Sequence, residues 1–347
     1  MTSIEDDIQR AVQRLINFMP LGAYLVTGAT GMLGRYLVKM LVHFQGVTVI
    51  AGCHSKEKGL LLFDELKGYK NFIMEELDVC SQDWNITCNV DYILHAAGIC
   101  DNKYCKENPS EVIYNNVMGT YRILKFAEEK KVKRLIVFSS AAVYGRCDVE
   151  RLSEDNTGYI DFRDFRNAYA ISKRVLENMC DSYKEKISLT IIRPFHMISP
   201  EQLCISSSML GEFFQNLQSG KEIKLRGNGL SMRNFTYIVD MCEVILLLIS
   251  CPRGTYNIGN KHGDWSVVQA LENMKDVFEK LNMKMQEEVN IDFDDEWQKP
   301  GNANHLLPEL SKIQYIIQKK GYELQMELPQ VALEKSIIAI GGIHESI

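Results

Sequence analysis

The chain has 347 residues, 46% of them hydrophobic and 24% charged, and a formal net charge of -6. That suits one large α/β domain with a smaller lobe and gives no basic footprint for nucleic acid. No apolar run reaches the ~18–20 residues of a membrane span, because residues 239–249 are interrupted by Asp240 and Glu243.

Ile4, Ile8, Val12, Leu15, Ile16 and Met19 recur at helical spacing, which predicts an amphipathic helix within residues 1–20, ending at Pro20. The first ten residues are acidic and polar, so no signal peptide is expected. A buried strand follows at Ala23-Tyr24-Leu25-Val26, then a glycine loop and a helix from Arg35 to Phe44. Further strands are expected at 47–51, 71–74, 92–95, 134–138 and 187–192, with a helix from about Pro109 to Glu129. This rhythm predicts a Rossmann-type, doubly wound parallel sheet. After Arg193-Pro194 it breaks. Asp240 to Ile249 and Thr255 to Ile258 read as a return to the sheet, between segments of a discontinuous lobe. The expected division is a dinucleotide-binding domain of 21–195 plus about 233–260, and a substrate lobe of 196–232 plus about 261–347.

Ten cysteines are scattered without a Cys-x-x-Cys pair, which predicts free thiols in a reducing, cytoplasmic setting and no metal site.

Two motifs carry chemistry. Gly28, Gly31 and Gly34 follow the first strand and open a helix, the context of a pyrophosphate-binding loop. Tyr169 and Lys173 lie four residues apart, on one helix face. An ammonium beside a phenol favours the phenolate, so Tyr169 is expected to carry protons near neutral pH.

With Thr27 to Gly34, His95-Ala96-Ala97-Gly98, Asn116 to Thr120, Phe138 to Gly145, Tyr169 to Lys173, Arg193-Pro194-Phe195, Arg233-Asn234-Phe235 and Tyr256 to Gly259, the chain resembles the extended short-chain dehydrogenase/reductase family. The likeness is to its nucleotide-sugar epimerase, dehydratase and decarboxylase branch. The resemblance implies that Tyr169 moves the proton of a sugar hydroxyl, that Lys173 holds the nicotinamide ribose, and that Ser140 bonds the same hydroxyl. Ser139 reads as a buried, satisfied hydroxyl. The cofactor would be held by Gly28, Thr30, Gly31, Met32, Leu33, Gly34, Asp78, Val79, Ala96, Ala97, Gly98, Asn116, Tyr169, Lys173, Pro194 and Phe195. A nucleotide-diphosphate sugar would meet Cys100, Ser140, His196 and Arg233. A homodimer is also implied.

Three departures stand out. Dehydratases of this family carry Asp-Glu, and decarboxylases a Glu, where this chain has Ala141-Ala142. Eliminating water needs a carboxylate for the C5 proton, so redox chemistry confined to sugar C4 is expected. A 4-ketoreductase is favoured, with a 4-epimerase as the alternative; then come a dehydratase or decarboxylase and, from another class, a non-catalytic sensor. The carboxylate that usually binds the adenosine ribose is replaced by His54, Ser55 and Lys56, which favours NADP, with NAD as the alternative. Pro300-Gly301-Asn302 stands where many relatives have Pro-Gly-Asp after Arg.

Overall fold

The computed structural model describes residues 2–81, 84, 86–226, 229–285, 291–294 and 305–344; the 300–302 stretch falls outside them. Six apolar runs form strands: β1 (Gly22–Thr27), β2 (Val47–Cys53), β3 (Phe72–Glu76), β4 (Tyr92–His95), β5 (Arg134–Phe138) and β6 (Leu189–Pro194). A further strand, Gly254–Ile258, lies beside β6 and completes the order Gly254–Ile258, β6, β5, β4, β1, β2, β3. All neighbours are parallel. The doubly wound sheet expected from the sequence is therefore present.

Helices α1 (Ile4–Leu15), α2 (Met32–Leu41), α3 (Lys56–Leu62), α4 (Asn102–Glu107), α5 (Pro109–Lys130) and α6 (Ala168–Ser182) accompany these strands. The winding reverses between β1 and β4, where Thr27 pairs with His95. Connections leave that point in opposite directions, so a crevice opens beyond the strand ends. Further on, Met232–Tyr237 pairs with His196–Ile198 and with Asp264–Ser266, a small second sheet over that end of the molecule.

One expectation is corrected. Residues 240–249 do not return to the sheet, because Ile238–Leu248 is a helix. Every residue of it is buried, as it packs against α1 and α2 on one side and β6 on another. A segment enclosed all round loses the polar face that marks a helix, and an apolar run alone does not separate helix from strand.

α1 is fixed onto this helix by a buried polar cluster. Arg14 grips Glu243 with Nε and Nη2 at 2.7 and 2.6 Å, and Tyr322 donates to the same carboxylate. Nearby, Asp240 is 4% exposed and accepts the Glu327 amide at 2.7 Å. Burial pushes its carboxyl up to about 8. The folded protein thus prefers the protonated acid, whereas the unfolded chain ionises near the usual value of about 4. Stability should fall as pH rises from about 4 to 8 and level off above, at a slope of up to about 1.4 kcal/mol per pH unit. Asp240→Asn keeps the acceptor and removes the charge. Urea unfolding should show it more stable than the parent at alkaline pH, with the gap closing towards pH 4; a pH-independent gap would rule the explanation out.

Candidate active site

The glycine loop has the geometry of a phosphate cradle. Gly28 adopts φ +64°, and a Cβ there would sit 2.7 Å from both Cα and N of Ala97. A side chain at Gly34 would run into the Gly28 carbonyl. Gly31 is the N-cap of α2 and provides no side-chain cap, so the helix's first amides face the crevice without an internal acceptor. Beneath the loop, His95 bridges Thr27 (Nδ1, 2.8 Å) and Thr120 (Nε2, 3.2 Å), and Thr27 Oγ1 also accepts the Ala97 amide at 3.3 Å. Burial holds this imidazole down to about 3, so it stays neutral and serves as a structural link.

Along the loop, Thr30, Met32 and Leu33 are part-exposed at the mouth of the helix. At the adenine end, Val79 is buried and Asp78 is exposed, its carboxylate turned back to the Cys80 amide at 2.9 Å. His54 and Lys56 are exposed; Ser55 caps α3 by accepting the Lys58 amide at 3.4 Å. NADP would be favoured by the lack of a carboxylate here. Glu76 supplies one from β3, in register with Cys53, and its Oε2 accepts the Lys56 amide at 3.5 Å. β2 alone could not reveal it, since pairing with β3 brings it across.

Tyr169 and Lys173 occupy the first turns of α6, with Lys173 Nζ 5.7 Å from the Tyr169 ring centroid. Lys173 is buried, and its ammonium donates to the Phe138 carbonyl at 2.7 Å. Burial holds it down to about 8, an effect that Cys100 and Glu177 partly offset. Gly98 leaves room for the Asn116 side chain: a Cβ there would stand 2.9 Å from Asn116 Oδ1. Burial raises the Tyr169 phenol above its usual range; Cys100 adds to the rise, and a hydrogen bond with Ser140 opposes it. The expected phenolate is therefore not formed by the protein alone, because burial outweighs an ammonium already engaged by a carbonyl. Ser140 caps the turn after β5, its Oγ accepting the Ala142 amide at 3.1 Å.

Asn116 is enclosed, with its amide engaged by Ile99 N and O at 2.8 and 3.2 Å and by Ser172 Oγ at 3.0 Å. It shapes the loop after β4 around the residue before Lys173. Ala96 and Ala97 lie half-buried at that strand end. Pro194 ends β6, whereas Phe195 is 5% exposed and packs with Tyr144 and Leu152 in a small core. A cofactor would meet it through its backbone.

On the substrate side, Cys100 is exposed and within electrostatic reach of Tyr169 and Lys173. His196 lies against Phe235, with ring centroids 5.6 Å apart. Its Nδ1 is buried without a hydrogen-bond partner, and burial followed by the nearby Arg233 holds it down to about 3. Arg233 donates to the Met232 carbonyl at 2.7 Å and, among the described residues, pairs with no carboxylate. Burial lowers its pKa, so an anion arriving there would gain a partly desolvated guanidinium. Glu154, between β5 and α6, is tied to the Asn257 amide at 2.8 Å.

Ser139 is buried and bonds Glu177 at 2.5 Å, as its reading as a satisfied hydroxyl requires. Glu177, the partner of Arg193, is the polar residue here that the motifs do not single out. The available signal is Glu177's place one turn beyond Lys173 on the same helix face.

The chain is similar to known proteins. UDP-glucuronic acid decarboxylase 6 of Arabidopsis thaliana is 26% identical over 308 residues, covering 88% of this chain and 84% of that protein. UDP-D-apiose/UDP-D-xylose synthase 1 of the same plant is 28% identical over 291 residues, 74% of this chain and 75% of its own. The fold is shared with UDP-glucuronic acid 4-epimerase of Bacillus cereus, solved with UDP-glucuronic acid and NAD, at a TM-score of 0.76 and 21% identity over 93% of this chain and all of that one. The family model for the NAD dependent epimerase/dehydratase family matches residues 24–259. With that model spanning the whole parallel sheet and its crevice, this chain is a member of that enzyme family.

Proposed function

We propose that the enzyme oxidises C4 of a nucleotide-diphosphate sugar and returns the hydride within the same cycle, as a 4-epimerase that holds NAD. The observation that carries this reading is the grouping of Ser140, Tyr169 and Lys173 at the crevice, with alanine at both 141 and 142. Gly28, Gly31, Gly34, Ala96 to Gly98 and the open start of α2 fit a dinucleotide diphosphate, and Lys173 fits its nicotinamide ribose. When bound, NAD supplies the hydride acceptor and, oxidised, a ring charge that favours the Tyr169 phenolate. Tyr169 takes the proton of the C4 hydroxyl as C4 becomes a ketone and gives it back on reduction. Ser140 donates to the same oxygen, and Arg233 holds the sugar's diphosphate beside His196 and Cys100. In this reading residues 21–195 plus about 233–260 hold the dinucleotide and the remaining lobe holds the sugar. α5 and α6, which expose Ile113, Tyr114, Tyr121 and Val175, form the face of a homodimer.

The sequence-based preference for a ketoreductase depends on a site for an exchangeable NADP. Glu76 weakens it, since a carboxylate repels a ribose 2′-phosphate. NADH should therefore bind at least as tightly as NADPH, and Glu76→Lys should shift the ratio towards NADPH by ~10-fold, or ~1.4 kcal/mol. Titrating both cofactors at low salt checks this; a parent preference for NADPH would restore the reductase reading.

Decarboxylation is the second reading, favoured by the names of the curated relatives. Ala142 excludes elimination of water but not loss of CO2. A C4 ketone beside a C5 carboxylate is a β-keto acid, whose C–C bond electrons pass into the enolate without any proton being pulled from C5. UDP-glucuronate separates the readings. The epimer with no CO2 supports the 4-epimerase, CO2 with a pentose product supports the decarboxylase, and net oxidation of NAD(P)H with a ketosugar would overturn both.

A further inference from the structure

Behind the catalytic residues lies a half-buried ion pair without a part in proton transfer. Glu177 accepts from Arg193 Nε at 2.9 Å and Nη2 at 2.7 Å, and from Ser139 at 2.5 Å. The two side chains are 14% and 12% exposed. Arg193 Nη1 donates to the Tyr144 hydroxyl at 3.0 Å and the Glu154 carbonyl at 2.9 Å, and Tyr144 donates to Asn257 at 2.5 Å.

The pair therefore ties together the segments that carry the active site. Ser139 precedes Ser140 at the end of β5, Glu177 follows Lys173 by one turn of α6, and Arg193 precedes Pro194 at the end of β6. Stability alone is a poor reason for such a pair, since a buried ion pair is often no better than apolar packing of the same volume. Orientation is a better one. A guanidinium fork on a carboxylate fixes both distance and plane, which a point charge does not.

We propose that the Glu177–Arg193 pair is the positioning element of the active site, holding the helix of Tyr169 and Lys173 in register with Ser140 and the Pro194–Phe195 edge. The proposal rests on the roles given to those residues under the proposed function. Around Lys173 stand Tyr169, Glu177 and Cys180 from its own helix, Cys100 from the loop after β4, Cys105 from α4, and the neutral His95 from β4. Among the described residues, Glu177 is a carboxylate that favours the charged form of that ammonium. Replacing it by glutamine keeps the shape and removes the charge that favours protonated Lys173.

Three proteins are compared: the parent, Glu177→Gln and Arg193→Lys. Thermal unfolding, NAD affinity across pH, and turnover of whichever UDP-sugar the parent accepts are measured. Glu177→Gln should remain folded, lose NAD at a pH lower by ~0.5–1 unit than the parent, and drop in kcat by ~10-fold or more with KM nearly unchanged. Arg193→Lys keeps the charge but loses the fork, so kcat and neutral-pH NAD affinity should fall while the alkaline limit stays. Parent-like kcat and an unmoved alkaline limit in Glu177→Gln would overturn the proposal, as would parent-like kcat and NAD affinity in Arg193→Lys. If the parent turns over no UDP-sugar, the C4 reading fails separately, and the NAD titrations still decide the role of the pair. If Glu177→Gln does not fold, Arg193→Lys decides.

Discussion

Tyr169→Phe should yield a folded protein that binds NAD with nearly the parent's affinity and turns substrate over at least ~100-fold more slowly, the low end for a positioned acid/base group. The substitution removes one hydroxyl, on which Ser140 acts, and leaves the ring that lies against Lys173. Lys173 is directed at the Phe138 carbonyl, His95 is buried beneath the loop, and Glu154 is tied to a backbone amide. Single-turnover reduction of bound NAD by the sugar nucleotide isolates this step from product release. A rate within a few-fold of the parent would remove Tyr169 from the chemistry. Ser140→Ala should cost less, because it withdraws an orienting hydrogen bond and leaves the proton carrier.

Gly28→Ala should abolish NAD binding at practical concentrations, a loss of at least ~100-fold, or ~2.7 kcal/mol. Two costs coincide at this position. Its φ of +64° is a region that alanine enters at a penalty of ~1 kcal/mol or more. The added Cβ would also stand 2.7 Å from two backbone atoms of Ala97, in the loop just after β4, whose amide is held by Thr27 Oγ1. Relief requires β1 and β4 to part at the crevice, where the diphosphate is expected to lie. Isothermal titration with NAD, alongside a melting curve, tests it. Unchanged affinity would mean the loop does not hold the cofactor.

Much of the fold is legible in the chain itself. β4 and β5 lie at the residues expected, Tyr92–His95 and Arg134–Phe138, because a strand covered on both faces must be a short continuous apolar run with polar breaks. Gly28, Gly31, Gly34 and the Tyr169–Lys173 spacing are equally plain, since close backbone approach and a shared helix face are written in neighbouring positions. Local sequence fails where burial erases periodicity, as in the helix Ile238–Leu248.

The chain by itself determined the parallel sheet, the glycine turn after β1 and the placing of Tyr169 and Lys173 on one helix face, each a matter of contacts within one or two consecutive elements. Tertiary structure alone decided the electrostatics around them. Glu76 reaches the end of β2 only through strand pairing, and Arg193 meets Glu177 only because β6 and α6 pack side by side. Tyr169 is held neutral by burial that no spacing rule reports. Charges act through space and dielectric, so their partners are fixed by which distant segments the fold brings together.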